Sequence, residues 1–398
     1  MGGVSIPPVQ LAAIQAFSTK ASHRLQASAN SLPFLCQRRY IVLLVILWSA
    51  SGATQRAWPD TAKPTRGSCL DPATGLGGTF DLQQNIQYSS LYLKLHQIHQ
   101  AIPCLENAHS IDPTADTHGF DVTYNLGLAY LQAGETQAAK SLVENQLRTQ
   151  DKAALHDLLG TIETTQHHFH AASMQYQIAA QEDASEQNIF DFGTSLLKFQ
   201  GNSAEKIFRY GVAKYPGSVR MHVGLGSALY AQGQTTEAAQ EMCAAARIDP
   251  SDPHPMEMVG KTEQVPPSLA SEITARFAAL VRLYPQNGKL LYYYAMARSG
   301  MWSGQASASP RTAALLQRAV VLDPHLAKAH FYLAQIEEQR KQFTRAIENY
   351  RKAADLSPTN DQYLYRLAFA YKEAGNQPMF QKELQKFRMV HQQTKKSE

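Results

Sequence analysis

Five prolines in the second half of the chain recur at a nearly constant interval: Pro216, Pro250, Pro285, Pro324 and Pro358 stand 34, 35, 39 and 34 residues apart. Each closes a stretch with helix-type spacing of apolar residues. The residue before a proline is pushed out of the helical region, so helices should end at Tyr215, Asp249, Tyr284, Asp323 and Ser357. A period near this length holds two helices and a turn, and such a chain folds as a stack of one repeated unit. No such pair can bury its apolar face alone, so each must pack on its neighbours.

The clearest unit runs from Ala327 to Asn360. His330, Leu333, Ala334 and Glu337 share one helix face, a polar turn follows at Arg340–Gln342, and Phe343, Ala346, Ile347, Tyr350, Ala353 and Ala354 stripe a second helix. The alanines let two helices approach closely while the aromatic rings fill the gap to the next pair. This pattern resembles the tetratricopeptide repeat (TPR). It recurs through Leu126-Gly127 and Tyr130; Leu159-Gly160, Ala172 and Tyr176; Phe192-Gly193, Ala204 and Phe208; Leu225-Gly226, Ala238 and Met242; and Leu367-Ala368, Tyr371 and Phe380. A poorer unit ends at Pro113 and carries Pro103, which the first turn of a helix tolerates.

The expected fold is all-α, a right-handed α-solenoid (superhelix) of about nine helix-turn-helix pairs without β-sheet. The array should span 80–393, after a linker at 54–79 and before a polar tail at 394–398. It should be irregular over 254–310. There, Val265-Pro266-Pro267 should shorten or break a first helix, and Met301–Pro310 reads as a loop insertion.

Residues 1–53 differ in kind. They hold Lys20, Arg24, Arg38 and Arg39, no acidic residue, a short apolar run at Tyr40–Trp48 and then small residues to Ala53. That order is a secretory leader, and the run is short for a transmembrane span. The chain is therefore expected to be exported, periplasmic or secreted, with an uncleaved membrane anchor as the alternative. The net charge of +4 belongs wholly to this leader, since 33 basic and 33 acidic residues remain without it. Composition thus offers no case for a nucleic-acid partner. Within the body, 286–398 holds 17 basic and 9 acidic residues, against 16 and 24 in 54–285. Of the cysteines outside the leader, Cys243 sits in a core stripe, while Cys69 and Cys104 either pair in an oxidising compartment or remain thiols.

Catalytic signatures are missing: the chain has no phosphate-binding glycine loop, no nucleophile elbow, no Cys-x-x-Cys and no His-Glu-x-x-His. His167-His168-Phe169-His170 and the pair His96 and His99 fall at turns and read as solvated turn residues rather than metal ligands. No catalytic residue, cofactor or metal is expected. What the TPR resemblance implies is a protein-protein interaction scaffold in the cell envelope, with first helices lining the concave face. Mapped here, that face presents Tyr292, Arg298, Lys328, Phe331, Tyr332, Tyr365, Arg366 and Phe369. Arginine and aromatic side chains dominate binding energy at such surfaces. The implied partners are extended or helical protein segments carrying acidic and apolar residues. The alternative is a carbohydrate- or polymer-handling TPR subunit of an envelope export or assembly system.

Overall fold

The computed structural model describes residues 68–397 apart from 118, 264–265, 301 and 303–308. The expected leader and residues 54–67 of the linker lie outside the described residues. Eighteen α-helices succeed one another among those described, nine pairs by order along the chain, in two compact units that divide between 195 and 196. The architecture is all-α, a solenoid in which consecutive helices pack on one another within each unit.

The first unit holds α1 (Leu82–Lys94), α2 (Ile98–Ile111), α3 (Val122–Gln132), α4 (Thr136–Leu147), α5 (Ala153–Thr165), α6 (Phe169–Glu182) and α7 (Glu186–Leu196), which reaches the boundary. Its core gathers Leu105, Leu126, Val143, Leu155, Leu158 and Ile162. The close approach of paired helices is visible at Gly160, where an added Cβ would lie 2.8 Å from the Tyr176 ring. Cys69 and Cys104 form a disulfide, settling the alternative left open by the sequence. The Tyr92 hydroxyl donates to the Leu70 carbonyl at 3.1 Å, so the segment before α1 is fastened to the first pair by two links. Pro103 lies in the second turn of α2 rather than its first. The helix carries it because Ala101, Ile102, Cys104 and Leu105 around it are all buried. The only strands named among the described residues, β1 (Asp116–Thr117) and β2 (Phe120–Asp121), clip the turn between α2 and α3.

The second unit holds α8 (Gly201–Lys214), α9 (Val219–Ala231), α10 (Thr235–Ile248), α11 (His254–Thr262), α12 (Ala270–Leu283), α13 (Gly288–Ser299), α14 (Pro310–Leu322), α15 (Ala327–Gln339), α16 (Phe343–Leu356), α17 (Asp361–Glu373) and α18 (Gln377–Ser397). The five prolines act as expected. Tyr215, Asp249, Tyr284, Asp323 and Ser357 are the C-caps of α8, α10, α12, α14 and α16, all outside the helical region. In the irregular stretch α11 has nine residues, is capped by left-handed Glu263 and is followed by a short 3-10 turn, Pro267–Leu269, while most of the expected insertion at Met301–Pro310 lies outside the described residues. One core patch centres on Phe277, Leu290, Tyr293 and Leu316, another on Phe331, Tyr350, Tyr363 and Leu367. Burial pushes the Cys243 thiol up to about 11, so it is an inert core group.

Six of the turns inside the pairs share one geometry. A left-handed residue stands at His96, Gly134, His167, Gly233, Lys341 and Gly375. The next amide donates back five residues, as in Gln342 N–H to the Glu337 carbonyl at 2.9 Å and Asn376 N–H to the Tyr371 carbonyl at 2.9 Å. This is the Schellman closure, which satisfies carbonyls left open at a helix end. Pairs are fastened further by a repeated histidine. His222 bridges Glu241 at 2.7 Å and the Pro216 carbonyl at 3.2 Å; His330 bridges Asn349 at 2.8 Å and the Pro324 carbonyl at 3.2 Å. The second-helix partner is 19 residues on in both. At His222 both nitrogens face acceptors, and the Glu241 carboxylate raises its pKa.

Candidate partner-binding face

The first helices of the last three pairs, α13, α15 and α17, carry all eight residues singled out in the sequence, and the structure divides them. Tyr292 and Phe331 are buried, each 3% exposed. Phe331 packs its ring 4.7 Å from Tyr363 and 5.7 Å from Tyr350, so it is interhelical core. Tyr292 lies against Tyr293 at 5.3 Å, and half-buried Tyr332 stacks beside it at 6.3 Å with ring planes 25° apart. Burial drives the Tyr292 phenol far above its ordinary pKa. Arg298 is exposed and reaches the Tyr294 hydroxyl at 3.4 Å.

Two of the cations are matched within the chain. Lys328 Nζ lies 2.8 Å from Glu263 Oε1, and Arg366 Nη1 lies 4.0 Å from Glu338 Oε2. Glu338 also accepts from the Tyr350 hydroxyl at 2.6 Å. The local excess of basic residues is therefore partly neutralised on this face. Sequence reasoning missed both acids. A signal for Glu338 existed, because its spacing of 12 to Tyr350 repeats that of Thr164 to Tyr176, whose hydroxyls stand 3.5 Å apart. Glu263 had none, being 65 residues from Lys328.

Tyr365, Arg366 and Phe369 do converge. The Tyr365 and Phe369 rings are 4.4 Å apart, and Phe387 of α18 supports Tyr365 at 5.4 Å. With Phe343 they line an open cleft of about 380 Å³ between the end of α15 and α17, edged by Lys341 and Arg366 and by Glu338 and Glu373. The cleft is shallow and of mixed charge. Its apolar floor and paired charges can take an amphipathic chain segment.

Of the histidines read as turn residues, His99 and His170 lie in the first turns of α2 and α6. His167 is the left-handed turn residue with its ring 5.8 Å from Phe169, and His168 Nδ1 pairs with Glu163 at 2.9 Å. One cluster escaped the sequence reading: Asp151, His156 and Glu182 bring one nitrogen and two carboxylates within 4.8 Å. Partial burial and the Asp151 carboxylate push Glu182 up. His156 is another copy of the bridging histidine, held by Gln175, again 19 residues on, at 2.6 Å and by Asp151 at 2.8 Å. That structural role accounts for it.

Two stretches match repeat families: 200–253 matches the tetratricopeptide repeat, and 336–375 matches the TPR repeat. Among solved structures, the C-terminal part of a TPR repeat-containing protein from Cytophaga hutchinsonii is 13% identical, with a TM-score of 0.43 over 71% of this chain and 99% of that one. A tetratricopeptide repeat protein from Parabacteroides merdae is 16% identical, with a TM-score of 0.38 over 73% and 98%. YrrB, described as a TPR protein with an unusual peptide-binding site, is 19% identical, with a TM-score of 0.37 over 45% and 91%. No curated protein sequence matches the chain.

Proposed function

We propose that this chain, built on tetratricopeptide repeats, is a non-catalytic protein-interaction scaffold of the cell envelope. Its partners are extended or helical segments carrying apolar and acidic residues, received on the face of α15 and α17. The observation that carries this reading is the pairing of exposed Tyr365 with half-buried Phe369 beside Arg366 and Lys341 in the cleft. Rings held by their neighbours lose little freedom on binding, and a flanking guanidinium orients a carboxylate. Phe331 is not part of this surface, because its ring is spent on packing between helices, and the buried Tyr292 ring does not line the cleft.

Tyr365→Ala is expected to weaken capture of partners from an envelope extract by about tenfold, the usual scale of an aromatic anchor. Arg366→Glu should weaken it less and reduce its dependence on salt, since exposed charge contacts are screened over about 10 Å at 0.1 M. Unchanged capture by both variants, with circular dichroism intact, would move the site elsewhere.

Export is part of the proposal. It is supported by the order of basic, apolar and small residues before Thr54 and by the Cys69–Cys104 disulfide, a bond that persists in oxidising compartments. Protein recovered from the envelope is expected to have an intact mass beginning at Thr54. A mass that retains residues 1–53 would favour the anchored form.

A further inference from the structure

We propose that Glu263 is an in-chain stand-in for a partner carboxylate, closing a second acid-binding position on the same face, formed by Tyr292 and Lys328; this rests on the partner-binding reading above. Its Oε1 accepts from the Tyr292 hydroxyl at 3.0 Å and from Lys328 Nζ at 2.8 Å. Those donors come from α13 and α15, while Glu263 comes from the end of α11. Two separate helices thus aim unlike donors at one oxygen, with the half-buried Tyr332 ring stacked alongside. A preformed donor set of this kind suits any carboxylate that can reach it.

The donors belong to regular helices, while the acceptor stands just past the end of one. Tyr292 is buried between helices, and burial keeps its phenol protonated and donating far beyond the ordinary tyrosine range. Lys328 is open on its outer side, with 53% of its side chain exposed, so an incoming acid can reach it. Glu263, in contrast, sits at the last turn of the shortened α11, in a left-handed conformation (φ 53°) that favours glycine. Its amide makes only a long bond, 3.4 Å, to the Gly260 carbonyl. The body of α11 is held to α13 independently by Glu257 and Lys289 at 2.7 Å, so Glu263 can leave without releasing the helix. Charge supports the same occupant: with Glu263 displaced, Lys328 is left unmatched beside two phenols.

Occupation in cis raises the apparent dissociation constant of a competing acid by the inverse of the open fraction. The test uses the full chain and three small probes, followed by NMR shifts of groups around Lys328. N-acetylglutamate methylamide presents a side-chain carboxylate, N-acetyl-leucine a terminal one, and N-acetylglutamine methylamide none. Glu263→Ala is expected to bind at least one carboxylate probe about tenfold more tightly than the unaltered chain, as for a site open in about a tenth of molecules. Adding Lys328→Met should abolish that gain, and the glutamine analogue should show none. Whichever acid binds better identifies the source, side chain or chain end. No gain, or an equal gain for the glutamine analogue, overturns the proposal and leaves Glu263 as a strut. Should Glu263→Ala lose helicity, Glu263→Gln decides: it keeps an acceptor for Tyr292 but drops the charge facing Lys328. About a threefold gain is then expected, and no gain overturns the proposal equally. The cleft is tested separately through Tyr365, so either idea can fail alone.

Discussion

Phe331→Ala is expected to destabilise the second unit by about 3–5 kcal/mol, the usual cost of emptying a buried aromatic site, with no separate effect on partner affinity. The ring is 3% exposed and lies among Tyr332, Tyr350 and Tyr363 at 5.5, 5.7 and 4.7 Å. Three aromatic neighbours cannot all collapse into the space it leaves, so the loss belongs at the upper part of that range. Urea unfolding followed by circular dichroism measures it. A loss within about 0.5 kcal/mol, the ordinary range for surface positions, would show that Phe331 is not core. Tyr365→Ala makes the reverse comparison, with little lost in stability and much in capture.

The second large effect belongs to the other unit. Cys69→Ala with Cys104→Ala should cost about 3–4 kcal/mol by the loop-closure relation for a separation of 35 residues. Both sulfurs are fully buried, so alanine is the replacement that leaves no unpaired hydroxyl. The loss should be local. Amide exchange should accelerate in α1 and α2 and in the segment from Leu70 to Gly77, which pairs with itself through one bridge, while α15–α18 keep their protection. Uniform acceleration across both units, or none, would contradict the fastening role given to this bond.

These two residue sets mark where the sequence was legible. Helix ends were readable because proline acts on its immediate neighbour, and all five ends fall where that local rule puts them. The disulfide was half legible, since two cysteines can be counted but their distance cannot. The binding face was read less well, for a physical reason. A first helix is wrapped by its own second helix and by both neighbouring pairs, so its buried stripe is nearly a full circle. In α13, eight of twelve residues are buried, and a helix apolar all round gives no periodic sign of which side faces out. Tyr292 and Phe331 were therefore indistinguishable from Tyr365 by type and spacing. Tyr365 stays open at 39% exposure, with its ring resting on Phe369 and Phe387. Glu263, the acid that neutralises Lys328, was hidden for another reason, since pairing across the stack depends on which turns meet.

Packing confined to neighbours along the chain has a consequence for communication. Within the second unit, news of an event at α17 would travel toward α9 only by passing through every intervening pair, and each pair can absorb part of it. Such an assembly makes a poor wire. It makes a good rack, because an occupant on one shelf leaves the spacing of the others undisturbed. The link from Glu263 to Lys328 is an exception, joining α11 directly to α15 past the pair between them. If messages cross this unit at all, that is the shortcut they would take.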